Sequence, residues 1–243
     1  MQHSDPDDLF DRAEMPVAPF EFNADVARVF PDMVRRSVPG YADLVALCGL
    51  VARRVARPGT RCYDLGCSLG AVSLAMLART PSGVGIVAVD NAQAMVDGLA
   101  RRLAEVPGGE RVRVCCADVR EVEIVDASVV ALNLTLQFLP PEERAGLLAR
   151  IRAGMVPGGV LVLAEKVRLD DAAEAAFVTA LHEDFKRANG YSELAIAGKR
   201  AALERVLVPE RAETHEQRLR EVGFARVTRL YQHLNFVAWA AWT

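Results

Sequence analysis

The chain has 243 residues, enough for one α/β domain with added helices and short for two substantial domains. Its formal charge of −3 argues against a nucleic-acid-binding surface, because neutralising phosphates takes a clustered excess of Lys and Arg. No apolar run is long enough to span a bilayer, and the acidic start Asp5-Pro6-Asp7-Asp8 is the opposite of a signal peptide, so a cytoplasmic protein is expected.

In chain order, residues 1–20 are acidic and proline-containing, and are expected to be mobile or loosely docked. Asn23 can cap a helix running through Val29-Phe30, and Pro31-Asp32 can open another that carries Met33 and Val34. Ser37-Val38-Pro39-Gly40-Tyr41 is a break before a long helix over about 42–56, striped by Leu44, Leu47, Leu50, Val51 and Val55. Residues 21–57 thus form a helical cover that cannot make a core alone and should lie over a cleft. Tyr41 is either a core aromatic or a ligand contact.

The strand Arg61-Cys62-Tyr63 then runs into Asp64-Leu65-Gly66-Cys67-Ser68-Leu69-Gly70 and a helical stretch. Gly66 permits a sharp turn where a Cβ would obstruct, and the helix start offers unpaired N–H groups to an anion. About 20 residues on, the strand Gly83-Val84-Gly85-Ile86-Val87-Ala88-Val89 ends in Asp90, placed to accept hydrogen bonds from a ribose diol or, more plainly, to cap the next helix. Loop and acid together favour the ligand reading. The pattern resembles the S-adenosylmethionine-dependent methyltransferase superfamily, with Ser68 in place of the usual middle glycine.

Strands near 61–65, 84–90, 111–117, 128–134 and 160–167 alternate with helical segments near 69–79, 92–105, 141–154 and 170–188. Runs such as Val129-Val130-Ala131-Leu132 are apolar at successive positions, as a sheet covered on both faces requires. Pro157-Gly158-Gly159 reads as the turn that ends a helix and starts a strand. The runs 225–232 and 234–242 leave no room for a crossover helix and should pair antiparallel. The expected fold is a mostly parallel, seven-stranded Rossmann-like sheet in a single domain over 21–243, with a helical insertion over about 170–208.

Two more strand ends carry polar groups. Asp118 could accept from an adenine amino group or form an Asx turn, and Asn133 faces the reactive part of the cleft or bonds a turn. The strand-end rule for open α/β sheets makes loop, Asp90, Asp118 and Asn133 converge. His182-Glu183-Asp184-Phe185-Lys186 has Lys where a zinc helix needs its second His, so it reads as a helix surface. His215 and His233 lack evident partners, and the five cysteines form no metal framework and read as reduced thiols. The pair Lys199-Arg200 is available for a small anion.

Several blocks are similar to a narrower family, the carboxy-S-adenosylmethionine synthases of bacterial tRNA wobble-uridine modification. They are Val29-Phe30-Pro31-Asp32-Met33, Arg36-Ser37-Val38-Pro39-Gly40-Tyr41, the glycine loop, Leu136-Gln137-Phe138-Leu139 and, above all, Asp184-Phe185-Lys186-Arg187-Ala188-Asn189-Gly190-Tyr191-Ser192-Glu193-Leu194 with Lys199-Arg200. The resemblance covers the chain from about Phe20 onward. It implies consumption of S-adenosylmethionine and prephenate, yielding carboxy-S-adenosylmethionine and phenylpyruvate without a metal. It also implies a homodimer in which Arg200, reaching in from the neighbouring subunit, holds the new carboxylate, since an Arg fork can grip a carboxylate bidentately. Tyr41, Gly66, Cys67, Ser68, Asp90, Asn91, Asp118, Val119 and Asn133 match the family's ligand-contact positions. Without the resemblance, Arg200 reads as a solvated helix charge. A conventional small-molecule methyltransferase, or a non-catalytic S-adenosylmethionine-binding module, would use the same fold.

Overall fold

The computed structural model describes residues 5–10, 20–204 and 206–243. Five strands follow the alternating pattern: β1 (Arg61–Leu65), β2 (Gly85–Asp90), β3 (Val112–Cys116), β4 (Ala127–Asn133) and β5 (Met155–Lys166). Two more, β6 (Arg226–His233) and β7 (Phe236–Trp242), close the chain. The sheet order is β3-β2-β1-β4-β5-β7-β6. Strands β1 to β5 pair in parallel, and β7 pairs antiparallel with both β5 and β6. Strand order reverses between β1 and β4, so a crevice opens at their C-terminal ends.

Alternate residues of each strand enter opposite layers. Tyr63, Leu65, Val87, Val130, Leu132 and Leu161 pack with Leu147, Leu148 and Ile151 of α5 (Pro141–Ala153) and Leu219 of α8 (Ala212–Glu221). Cys62, Ile86, Ala88, Val129, Ala131 and Val162 pack on the other face. There they meet α2 (Tyr41–Val55), α3 (Ala71–Leu77) and α4 (Gln93–Leu103) through Cys48, Ala52, Met76 and Leu99. Two covered faces are why the strands read as continuous apolar runs.

Three local expectations are corrected. The first helix does not break at Pro31. Instead α1 runs Ala24–Ser37 with Pro31 inside it, capped by the Asn23 side chain, which accepts the Val26 N–H. Val29 and Met33 bury into one cluster with Leu69 and Met95, which offsets the hydrogen bond that proline forfeits. Pro157-Gly158-Gly159 does not end a helix: α5 ends at Ala153, and the tripeptide lies inside β5, where the pairing with β4 shifts between Ala127 and Val129. In α2 Leu44, Leu47, Val51 and Val55 pack on the core as the stripe requires, but Leu50 is exposed, and Cys48, Gly49 and Ala52 are buried instead.

The insertion consists of α6 (Ala172–Ala188) and α7 (Glu193–Glu204). It is joined to α1 by a buried polar network. Asp7 accepts hydrogen bonds from the Lys199 ammonium and the Tyr191 hydroxyl, and its backbone N–H donates to Asp32 Oδ2 at 2.9 Å. Arg36 pairs with Asp32 at 3.0 Å, donates to the Asn189 carbonyl at 2.7 Å and stacks 3.9 Å over the Tyr191 ring. The N-terminal segment expected to be mobile is therefore pinned at Asp7, while residues 1–4 and 11–19 lie outside those described. Lys199, expected to be open to a small anion, already has a carboxylate partner.

Candidate functional site

Where β1 ends, Gly66 turns the chain at φ 83°, and a Cβ there would lie 2.3 Å from the Thr135 hydroxyl oxygen. Ser68 takes φ 47°, left-handed backbone that costs a non-glycine residue about 1–2 kcal/mol. Its N–H donates to Asp90 Oδ2 at 2.8 Å, which helps hold that conformation. Asp90 Oδ1 accepts the Ala92 N–H at 3.0 Å, so the acid ties the loop to the residue that starts α4 without itself capping that helix, and it lines the crevice. One lone pair on each oxygen remains for a ligand. Burial pushes the Asp90 pKa up, against the pull of its two N–H donors. Beneath the loop, Asp64 accepts the Ser73 hydroxyl at 2.6 Å and N–H at 2.8 Å, and burial raises it to about 6.

The crevice is a cavity of about 430 Å³. Its lining includes Tyr41, Gly66, Cys67, Ser68 and Asp90, with Asn91, Asp118, Val119 and Asn133 further along. Nine of the ten residues singled out from sequence thus meet around one space. Asp118 makes the expected turn bond, accepting the Arg120 N–H at 2.8 Å, and its carboxylate is also bridged by the Arg120 guanidinium, which holds its pKa low. Asn133 differs: its Oδ1 is buried and has no hydrogen-bond partner. A buried acceptor left unmatched costs about 1–3 kcal/mol, so Asn133 suits a ligand donor better than a turn.

Arg200 is the exception. Its side chain is 62% exposed, its guanidinium sits 2.7 Å from Glu183, and it does not line the cavity of its own chain.

The insertion supplies residues that sequence reasoning missed. His182 is buried rather than on a helix surface: Nε2–H donates to the Ser37 carbonyl at 2.8 Å, and the ring meets Phe236 edge-on at 5.3 Å. Burial pulls its pKa down to about 3, so the ring is neutral at physiological pH. One turn later Lys186 also lines the cavity, lowered to about 8 by burial and then by the charges of Lys166 and Lys199. Lys166, the last residue of β5, stands beside them. The strand-end rule that selected Asp90 and Asn133 would have selected Lys166 too. Aromatic residues close another wall, with Phe22 packed edge-on against Phe138 at 5.5 Å. Among the described residues no cluster of three His, Cys, Asp or Glu could hold a metal ion.

A family model described as a methyltransferase domain matches residues 63–159. The carboxy-S-adenosyl-L-methionine synthase of Stutzerimonas stutzeri is 49% identical over 98% of this chain and 98% of its own length. The enzyme of the same name from Marinobacter nauticus is 48% identical over 97% and 96%. Among solved structures, the S-adenosylmethionine-dependent methyltransferase SibL matches 88% of this chain and 57% of its own with a TM-score of 0.62 at 19% identity. The cyclopropane synthase MmaA2 of Mycobacterium tuberculosis matches 76% and 63% with a TM-score of 0.57 at 18% identity. These two likenesses speak for the fold alone.

Proposed function

The chain belongs to the carboxy-S-adenosyl-L-methionine synthase family, and from that premise we propose that it converts S-adenosylmethionine and prephenate to carboxy-S-adenosylmethionine and phenylpyruvate. The observation that carries this reading is the extent of the relationship. The methyltransferase-domain model stops at residue 159, whereas the synthases match over nearly the whole chain, through the α6–α7 insertion that walls the cavity. The product would serve wobble-uridine modification of tRNA, made by this chain in the cytoplasm without direct contact to nucleic acid.

The equation balances when prephenate loses its ring carboxylate and its ring hydroxyl as it becomes aromatic. The carboxyl carbon bonds to the sulfonium methyl carbon, and the displaced methyl proton leaves with the hydroxyl as water. S-adenosylmethionine supplies the methyl carbon that takes up the carboxyl group. The chain's own residues bind and orient. Asp90 receives the ribose diol on its free lone pairs, and Asp118 with Val119 and Asn91 receives the adenine. Gly66, Cys67 and Ser68 lie against the ligand where a larger loop would not fit, and Asn133 Oδ1 accepts from a ligand donor. Tyr41 packs beside them, with its phenol held protonated by burial.

The remaining charge comes from a second copy, whose Arg200 pairs with the new carboxylate. The exposure of Arg200 supports a homodimer. So does α6, where Phe177, 65% exposed, and Leu181 one turn on present apolar surface. Mass spectrometry of a reaction with S-adenosylmethionine and prephenate tests the reading: a cofactor heavier by one carbon dioxide, formed in step with phenylpyruvate, is expected. S-adenosylhomocysteine formed in proportion to turnover would make the chain a conventional methyltransferase. Ligand binding without prephenate-dependent turnover would make it a binding module.

A further inference from the structure

The cavity is electrically divided. Asp64, Asp90 and Asp118 line it on the glycine-loop side, Asp118 being paired with Arg120, while Lys166 and Lys186 line it where β5 meets the insertion. A cationic sulfonium nucleoside suits the first end, and the second suits an anion. Among the described residues, neither ammonium has a hydrogen bond or an ion pair. Lys199 has Asp7, and the nearby Glu183 is engaged by Arg200 at 2.7 Å and Arg187 at 3.6 Å. Around the two lysines stand the neutral His182 and the Phe236 ring, whose centroid is 6.0 Å from the Lys166 ammonium. Two part-buried cations without an ion-pair partner of their own repel one another and are costly to desolvate, and Glu183, which attracts Lys186 from beyond ion-pair distance, offsets only part of this. An anionic ligand relieves both costs.

We propose that Lys166 and Lys186 hold the carboxylate of the co-substrate that survives the reaction, the one on its pyruvyl arm. This rests on the reading that the co-substrate is prephenate. The chemistry selects which of its two carboxylates is held. An ammonium on the departing ring carboxylate would stabilise the ground state and oppose loss of carbon dioxide, whereas one on the retained carboxylate binds substrate and transition state alike. The lysines therefore anchor the molecule by the end that does not react, and its ring carboxylate extends toward the acidic, cofactor-holding end.

Uniform binding has a kinetic signature: removing it raises KM and leaves kcat. Lys186→Met and Lys166→Met keep most of the side-chain bulk while deleting the charge. Each should raise KM for prephenate about ten- to hundredfold, with kcat little changed. Each should weaken phenylpyruvate binding to the S-adenosylmethionine-loaded protein by a similar factor in calorimetry, because the product retains the held carboxylate. Affinity for S-adenosylmethionine itself should stay at the wild-type value, which also shows that the variants fold. Lys186→Arg should recover part of the loss. Unchanged KM and phenylpyruvate affinity would overturn the proposal, as would a fall in kcat at constant KM. If wild-type protein does not turn prephenate over but binds phenylpyruvate through these lysines, the anion seat stands and the assigned reaction falls.

Discussion

Asp90 concentrates more function in one carboxylate than its spacing suggests. It fixes Ser68 in left-handed backbone and meets the start of α4, while presenting its remaining lone pairs to the cavity. Asp90→Asn keeps the size and one carbonyl acceptor but gives up the charge. The variant should bind S-adenosylmethionine more weakly by about 1.5–3 kcal/mol, the range for hydrogen bonds to charged groups. Calorimetry on protein shown by circular dichroism to be folded measures this; unchanged affinity would remove the ribose assignment. Residues of this kind are legible in sequence because strand end, turn and acid follow one another within a short stretch. Lys166 lies within reach of the same strand-end rule, but His182 does not: its meaning depends on the Ser37 carbonyl, 145 positions away, and local spacing gives no sign of that contact. His182 and Lys186 read as a failed zinc motif on a surface, since one helical turn looks the same whether it faces water or a cavity.

At the scale of elements, local patterns set the strands and the tertiary contacts set the ends. Strand β1 falls at Arg61–Leu65, as its place between two turn signals requires, and the terminal hairpin pairs antiparallel. Pro31 misleads because proline propensity is a local cost, while α1 gains its stability from burying Val29 and Met33 in one layer. The docking of α1 against the insertion depends on the Asp7 network, and its strength is testable. Lys199 and Asp7 are both buried, so removing either leaves the other without its counter-charge. Asp7→Ala should lower unfolding free energy by about 3–5 kcal/mol, the usual result of breaking a buried pair from one side. Urea denaturation checks the size. Adding Lys199→Met to Asp7→Ala should restore part of the loss, since the orphaned charge goes with it. Equal stability of the single and double variants would mean that Tyr191 and Ser37, which Lys199 also contacts, satisfy the ammonium without Asp7.

For the whole molecule, the mostly parallel sheet with its antiparallel end was legible from the alternation of elements, while the strand order, whose reversal places the crevice, comes from the structure. Assembly is a different matter, because a residue that acts across an interface does not line the cavity of its own chain. Arg200 shows the consequence: seen alone it is an exposed cation paired with Glu183, which is how its sequence context first reads. If it instead completes the site of a second copy, its effect must be specific to the product. S-adenosylmethionine and carboxy-S-adenosylmethionine share the adenosine and the amino-acid tail, so Arg200→Ala should leave binding of the first nearly intact. Binding of the second should weaken by about 2–5 kcal/mol, as for truncation of one partner in a buried charge pair. Arg200→Lys should rescue only part, because an ammonium lacks the planar fork. Trans action adds a complementation test. Mixing Arg200→Ala subunits with Asp90→Asn subunits should regenerate product binding, because one site of each mixed dimer then has an intact Asp90 and an Arg200 supplied by its neighbour. Equal weakening of both ligands would reduce Arg200 to a general structural charge. A protein that sediments as a monomer at assay concentrations, yet binds product with full affinity, would eliminate the shared site.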